Sequence, residues 1–590
     1  MVAARARLAA TIALALMAGL LVFAAPGPAA ADEGSPASVV DAVSFGGSGS
    51  EWTSSAGSDA AGNIYVVGRT QSADFPTKGG LGIPYGPNPG FAGFEQAFLT
   101  KLDPEGEIVY STLLPAMHTA AVTGAVAPDG SVYVAYGRND YPGDDSRDDI
   151  NVLKVDPSGT RIVYSTAVPS VGVSSPSAID VDDEGRAYVV GLVGAEGFPV
   201  TPDADLRKPN PIYPPNFISG IVRLAPGGAI SYASYLDVYP NAIDVGADGS
   251  VYVAGGALGG AFGDAPGAPP FGGSGNWDGA VAQFSPSLAK LKYGAYVGGS
   301  GYDFVYAVAA TPGGGVYFTG MTDTRELQQV EPLDPQVPDR ADALYGELSP
   351  DGTEVRQLAK MGGEDGGTYA YKVEVAPDGA AIVVGMTTSD SFPSHGAQIG
   401  ELPPTAALAF RVENRQLTHS TAYVNEYRST AMGVVATEDG LVHVVGDATM
   451  PASEGQPFGV SDAFLSTLRL DPYVDDPYVE VPSRQRVAKD PLLKLRAGAR
   501  EDVDLRASAR LRVRVGGRDR SLVLRSAKRR AEGYEKASLA LKPGSRGSAR
   551  LLKKAVGNGR QVRAKVTVGF RDRGDAVARK HAWVTLVGRG

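Results

Sequence analysis

Apolar residues in this chain gather in short runs closed by glycine turns, and one such run returns seven times. It reads Gly62-Asn63-Ile64-Tyr65-Val66-Val67-Gly68 at first, then Gly130–Gly137, Gly185–Gly191, Gly249–Gly255, Gly315–Gly320, Gly379–Gly385 and Gly440–Gly446. The place of Tyr65 is refilled by Tyr133, Tyr188, Tyr252, Tyr317, Ile382 and His443, at spacings of 68, 55, 64, 65, 65 and 61 residues. Each run is β-branched or aromatic and apolar at successive positions, which predicts a strand covered on both faces.

Further apolar runs fill the intervals. One set comprises Ala97–Leu102, Asn151–Val155, Gly220–Leu224, Ala280–Phe284, Ala343–Leu348, Ala407–Val412 and Ala463–Leu468, most of them ending at a turn such as Asp103-Pro104-Glu105-Gly106. A third type follows, as in Val109–Thr112 and Val163–Thr166, and a fourth leads into the next copy, as in Ala178–Val181 and Ala242–Val245. Four short strands per repeat, with no helical period between them, predict a β-propeller blade. The seventh copy lacks its outer strand. A run of the missing type stands near the N-terminus, Val39–Phe45, followed by Gly46-Gly47-Ser48-Gly49 as Val297 is followed by Gly298-Gly299-Ser300-Gly301. The expected fold is therefore all-β: a seven-bladed β-propeller, residues 32–471, whose ring is closed by the N-terminal strand so that no sheet edge stays open. A sandwich or an open solenoid is the alternative.

The same segments carry a resemblance. Ser44–Gly49, Thr70–Thr77 and Ala97–Gly106 resemble the bacterial secreted β-propeller repeat (SBBP) family, and Thr387–Pro393 and Gly197-Phe198-Pro199 repeat its Asp-Phe-Pro element in full or in part. The resemblance spans roughly residues 38–470 and is blurred in the second unit, where Phe-Pro is lost. It implies a seven-bladed propeller on exported or surface proteins and brings no shared catalytic motif.

The first residues fit that address. Arg5 and Arg7 precede an apolar run, Leu8–Ala25, and Ala29-Ala30-Ala31 offers a small-residue cleavage site, so residues 1–31 read as a secretory signal peptide. A membrane anchor is the competing reading, against which Pro26 and Pro28 stand where a spanning helix still needs hydrocarbon.

Charge separates the C-terminal part from the rest. Residues 484–590 hold 30 Lys+Arg against 9 Asp+Glu, whereas the whole chain has a net charge of −11. Without the two signal arginines the propeller region stands at −34. Leu511, Val513 and Val515 alternate with Arg512 and Arg514, and Val562–Phe570 alternates likewise, which predicts strands with one buried and one solvated face. A small basic β-sandwich, similar in composition to immunoglobulin-like domains, is expected at 484–590 after a linker at 472–483, with one or two helical turns within Ser548–Val556. Its charge suits attachment to an anionic envelope polymer or lipid surface, docking on the acidic propeller, or plain solvation of a sheet face. Nucleic acid is disfavoured, since few aromatics interleave with the arginines.

Candidate chemistry is sparse. With no cysteine there is no disulfide, thiolate nucleophile or zinc ribbon. The five histidines, His118, His395, His419, His443 and His581, share no metal-ligand spacing. No catalytic residue and no cofactor is assigned. Asp180 and Asp182, and separately Asp140 and Asp144, are weak calcium candidates that lack the alternating ligands and distal Glu of a calcium loop. The long loops after the second strands (69–96, 192–219, 256–279 and 321–342) carry the candidate binding face: Tyr85, Phe91, Phe94, Tyr213, Phe217, Phe262, Phe271 and Trp277. These aromatics either bind a partner or pack the loops on one another. The expected function is a non-catalytic exported or cell-surface propeller binding a protein or glycan. The alternative is a secreted enzyme acting on polysaccharide or peptide at the channel.

Overall fold

A computed structural model of the chain describes residues 38–587 apart from 87–94, 118–120, 138–148, 173, 215–216, 260, 263–276, 334–341, 394–404, 424–427, 438–439, 450–459, 471–477, 481–483, 487–492, 499–502, 516–517, 527, 532–536, 544, 557–560 and 572–576. The expected signal segment, 1–31, lies outside the described residues. Two compact units emerge, one carrying Val39–Leu468 and the other Arg469–Gly590. No helix among the described residues is long and apolar enough to cross a membrane.

Among its described residues the first unit forms seven four-stranded sheets. Six are built from consecutive strands, the first from Glu51–Ser58, Ile64–Thr70, Gln96–Leu102 and Ile108–Met117. The seventh takes Arg428–Ala436, Leu441–Thr449 and Ser461–Arg469 from the end of the unit, and its outermost strand is Ser38–Phe45. The N-terminal strand thus completes the last sheet. In every sheet the repeated tyrosine run is the second strand. The innermost strands, Glu51–Ser58, Ala121–Val126, Ser175–Val181, Tyr239–Val245, Asp303–Ala310, Thr368–Val375 and Arg428–Ala436, pack each on the next and the last on the first. The arrangement is a closed, propeller-like ring.

Its apolar cores lie between neighbouring sheets. Tyr188, Val190, Val251, Val253 and Phe284, from the third and fourth sheets, share one cluster. The seven turns between first and second strands all place a glycine at positive φ, from +76° at Gly185 to +89° at Gly379, where a side chain would be strained. The repeated tyrosine reaches across to those turns. Tyr133 Oη donates to the Gly185 carbonyl at 3.3 Å, Tyr252 to Gly314 at 2.6 Å and Tyr317 to Gly379 at 3.1 Å. Tyr65 and Tyr188 instead donate to Asp59 and Asp182 of their own turns.

The glycine-rich crossovers and the Thr-x-Ser-x-Asp-Phe-Pro element prove to be two halves of one device. Gly47 N donates to buried Glu51 at 3.1 Å, Ser48 N to Asp74 at 2.8 Å and Gly49 N to Ser72 Oγ at 2.8 Å. In the fifth sheet Gly299 N donates to Asp303 and Gly301 N to Thr324 Oγ1, each at 2.9 Å. A Cβ on Gly46 would stand 2.2 Å from Asp462 Oδ1 and 2.3 Å from Glu51 Oε2, so only glycine admits the backbone between these carboxyls. Phe75 then packs at 4.7 Å on Phe98, and Phe198 at 5.2 Å on Tyr235.

The loops after the second strands, where described, run back along the outer edge of their sheets. Lys78 pairs with Ser111, Thr201 N donates to the Ala233 carbonyl, and Val330 pairs with Leu358. These segments cover backbone groups that the outermost strands would otherwise present.

The described residues of the second unit form one nine-stranded sheet around a core that includes Leu505, Leu511, Leu539, Val566 and Leu586. The expected alternation is present: Leu505, Ala507, Ala509, Leu511 and Val513 are all buried along Val503–Val515. Three features differ from the expected antiparallel sandwich. Arg484–Arg486 pairs in parallel with Thr585–Val587. Tyr478–Glu480, inside the expected linker, is a strand paired with Leu493–Gly498. The helix is longer than expected, Arg546–Val556, because Ser545 caps it by accepting Ser548 N at 3.1 Å and its core-facing Leu552, Ala555 and Val556 are apolar.

Deleting Ser38–Phe45 leaves Ser461–Arg469 as an unpaired edge. The truncated chain is expected to unfold at least ~5 °C lower and to form oligomers on size-exclusion chromatography. An unchanged melting profile with a monodisperse peak would contradict the clasp.

Candidate functional site

The innermost strands surround the ring axis, and their partly exposed side chains change character from one end to the other. At the start of these strands stand aromatics: Tyr239, Phe304, Tyr306, Tyr369 and Tyr371, all half-buried. Tyr306 and Tyr371 are 5.9 Å apart, and Tyr369 stacks on Tyr371 at 6.2 Å with an interplanar angle of 9°. Tyr239 lies 5.6 Å from Trp277, and Phe304 stacks on Trp277 at 6.1 Å. Burial pushes the Tyr306 and Tyr371 hydroxyls well above the ordinary tyrosine range, so both stay neutral.

At the other end stand acids. Asp180, Asp244 and Glu374 occupy equivalent positions, each opposite the second-strand residue at the repeated tyrosine site: Tyr188, Tyr252 and Ile382. Each accepts a backbone N–H from the innermost strand of the following sheet: Val245 at 2.7 Å, Ala310 at 2.7 Å and Ala436 at 3.2 Å. At the seam between seventh and first sheets, Asp447 accepts Thr53 N at 2.6 Å and Thr53 Oγ1 at 2.7 Å. Desolvation pushes all four carboxyls up. Glu374 rises to about 8 and Asp447 to about 7, while Asp180 and Asp244 rise together, Asp180 further raised by the charge of Asp244. Lys372 beside Glu374 is lowered by the same desolvation.

Other acids near the start of the innermost strands are committed elsewhere. Glu51 is fully buried, accepts Thr70 Oγ1 at 2.6 Å and Ser72 Oγ, and lies against Asp462; desolvation raises both. Glu95 pairs with Arg69 at 2.5 Å, and Arg69 lies 5.6 Å from the Trp52 ring centroid.

The structure brings together only part of the aromatic set expected from sequence. Tyr213 and Phe217 lie 5.8 and 5.7 Å from Trp277, continuing the band, although Tyr213 is only 7% exposed. Phe262 is buried in the same apolar cluster as Tyr213, 4.9 Å from Tyr296. Tyr85 is half-buried and donates to the Gln71 carbonyl at 3.1 Å. Phe91, Phe94 and Phe271 lie outside the described residues, as do Asp140 and Asp144. Asp182 is fully engaged, accepting Arg186 Nε at 2.6 Å, Tyr188 Oη at 2.9 Å and the backbone of Glu184 and Arg186, while Asp180 accepts Val245 N. Among the described residues no group of three or more His, Asp or Glu could hold a metal ion. His443 is buried against Thr467 Oγ1 at 3.0 Å. The innermost-strand aromatics were not singled out from sequence, yet a signal existed in the alternation Phe304-Val305-Tyr306 and Tyr369-Ala370-Tyr371.

No protein-family model and no curated protein matches the chain. Solved structures do resemble it. The β-propeller domain of the Trilobed protease from Pyrococcus furiosus is 9% identical over 71% of this chain and 95% of its own, with a TM-score of 0.37. An α-L-arabinanase of Penicillium chrysogenum is 10% identical over 73% and 99%, at 0.34. A fungal alcohol oxidase of the AA5 family is 13% identical over 93% and 98%, also at 0.34. At these values the likeness says nothing about chemistry.

The buried acids set a pH dependence. Unfolded, they ionise near pH ~4, whereas in the fold Glu374 and Asp447 keep their protons up to about 8 and about 7. Their raised values mean that stability is fully present below the unfolded value and is lost as pH rises through the folded ones. Thermal unfolding of the full chain should show a higher midpoint at pH 5 than at pH 8.5. Glu374→Gln, which keeps a carbonyl oxygen for Ala436 N–H, should reduce that fall by a few degrees. An identical fall in the variant would exclude Glu374 as a source.

Proposed function

We propose that the first unit is a seven-bladed β-propeller of the secreted propeller-repeat kind, exported by its N-terminal segment. It acts as a non-catalytic binding module for a neutral glycan, and the basic second unit attaches it to the cell envelope. The observation that carries the binding reading is the separation of chemistries along the innermost strands. Tyr239 and Asp244, like Tyr369 and Glu374, are five residues apart, which is about 16 Å along a strand. A sugar ring laid on the half-exposed aromatic band therefore does not meet the raised acids Asp180, Asp244 and Glu374. Glycoside hydrolysis needs two carboxyls flanking one bond, about 5–9.5 Å apart, beside the bound sugar. Of the acids next to the band, Asp303 is buried and accepts Gly299 N and Thr324 Oγ1, and Asp278 is buried; at the same end of the first sheet, Glu51 and Glu95 are held by the crossover hydroxyls and by Arg69. Aromatic faces with few charged groups suit uncharged rings, whose C–H edges stack on them.

Calorimetric titration of the full chain with a panel of neutral oligosaccharides tests this reading. Tyr371→Ala should weaken the best binder about 5- to 10-fold, in keeping with the ~1 kcal/mol of one stacked aromatic pair. Asp180→Asn and Glu374→Gln should leave affinity unchanged. Release of reducing ends that Glu374→Gln or Asp180→Asn abolishes would establish the enzyme instead.

A further inference from the structure

In the first six sheets one residue of the outermost strand marks where a cover is laid, and the second sheet departs from the rule. Register fixes the position: Ser111, Ser165, Ala233, Gly294, Leu358 and Ser420 are equivalent. Ser111 exchanges both backbone bonds with Lys78, and Leu358 exchanges both with Val330. The Ala233 carbonyl accepts Thr201 N at 3.0 Å. The Phe262 ring lies over Gly294, where a Cβ would stand 2.3 Å from it, and Ser420 Oγ donates to the Pro393 carbonyl. At Ser165 no described residue meets the outward backbone groups.

The sequence accounts for the difference. The stretch between second and third strands is 138–149 in this sheet, about half as long as 71–95 in the first and 193–218 in the third. It also lacks the Phe-Pro element whose phenylalanine is buried elsewhere, as Phe75, Phe198 and Phe392 are. The strand left at the edge reads Ile162-Val163-Tyr164-Ser165-Thr166-Ala167-Val168, without a charge or a proline. Val163, Ser165 and Ala167 are exposed, Val163 by 40%. Edge strands are ordinarily blunted by charge, proline or a cover, because bare backbone groups pair with other chains. The outermost strand of the seventh sheet, Ser38–Phe45, follows that rule: exposed Asp41 takes the Ala42 N–H at 2.9 Å.

We propose that Ile162–Val168 pairs antiparallel with the same strand of a second copy, so that one sheet runs through both. A twofold axis at Ser165 sets Ser165 opposite itself and Val163 opposite Ala167, and all three outward residues then exchange backbone bonds. Pro169, without an N–H, ends the ladder. The same axis carries exposed Arg161 of each copy to Pro169-Ser170 of the other, where Asp149 accepts Ser170 N at 3.2 Å. Opposite charges therefore meet at both ends of the paired strands. An unrelated extended peptide would find the backbone groups but not this charge pair. No residue of the aromatic band takes part, so the pairing goes beyond glycan binding and stands apart from it.

Sedimentation equilibrium of the full chain over a concentration series tests the pairing. The unmodified chain should pass from monomer to dimer as concentration rises. Val163→Lys charges the edge and Ser165→Pro removes an outward N–H, and each should weaken dimerisation at least ~10-fold. Val109→Lys, at the equivalent exposed position of the covered first sheet, should leave it unchanged. Because the chain has no cysteine, Ser165→Cys should give a disulfide-linked dimer on mild oxidation, whereas Val163→Cys, off the axis, should not. Dimers that persist in both Val163→Lys and Ser165→Pro would overturn the proposal by placing the interface elsewhere. Equal cross-linking through the two cysteine variants would overturn it by denying the twofold register. A chain that stays monomeric at every concentration would overturn it too; if that chain binds a synthetic peptide of sequence Ile162–Val168, the edge is instead a docking site for extended peptides.

Discussion

A four-stranded antiparallel sheet leaves two rows of backbone N–H and C=O groups without ladder partners, and the first unit is organised around satisfying them. At the inner edge, carboxyls of one sheet accept amides of the next, as Asp180 does from Val245 and Glu374 from Ala436. At the outer edge, the loops after the second strands return as short covers, as Lys78 does on Ser111. The last sheet receives a whole strand from the other end of the unit. Repetition makes this economical, because one solution at one junction serves, with variations, at the others. It also explains why acids occupy the axis. They are drawn there by unpaired amides, and the desolvation that comes with that place keeps them protonated to unusually high pH.

Much of this was legible in the sequence. The returning glycine–tyrosine run fixed the second strand of every sheet, and the unit with three strands pointed to Ser38–Phe45 as its missing partner. Local pattern suffices there, since strand, turn and glycine φ are decided within a few residues. The axial chemistry was not legible. Asp180, Asp244 and Glu374 sit far apart in the chain, and only the ring brings their strands to one axis. The course of the second-strand loops was not legible either, for a related reason. Their length and aromatic content suggested a presented face, whereas the structure turns Thr201 and Val330 back along sheet edges and seals Phe262 against Tyr296. The strand Tyr478–Glu480 was hidden by flanking prolines and aspartates that read as linker.

The two units differ in the chemistry they leave uncovered. The ring offers uncharged aromatic surface and keeps most of its central acids neutral by burial. The basic unit keeps its core strictly apolar and alternates buried residues with polar and arginine positions along one long strand. Nothing in either solution depends on cysteine or on a metal-ligand cluster among the described residues. Each rests on strand alternation, which separates what a sheet buries from what it shows.

The outermost position of Ser38–Phe45 carries a consequence for the order of events in folding. Its partner, Ser461–Arg469, lies about 420 residues further along the chain. Bringing such distant ends together is only modestly harder in equilibrium terms than closing one repeat of roughly 60 residues, by about 1.7 kcal/mol for a flexible loop. In time the difference is far larger. The first strand to be made is among the last to find its place, and until the final repeat exists it remains an unpaired edge in solution. A chain built this way must keep its opening segment from pairing with neighbours throughout the assembly of everything it will eventually hold together.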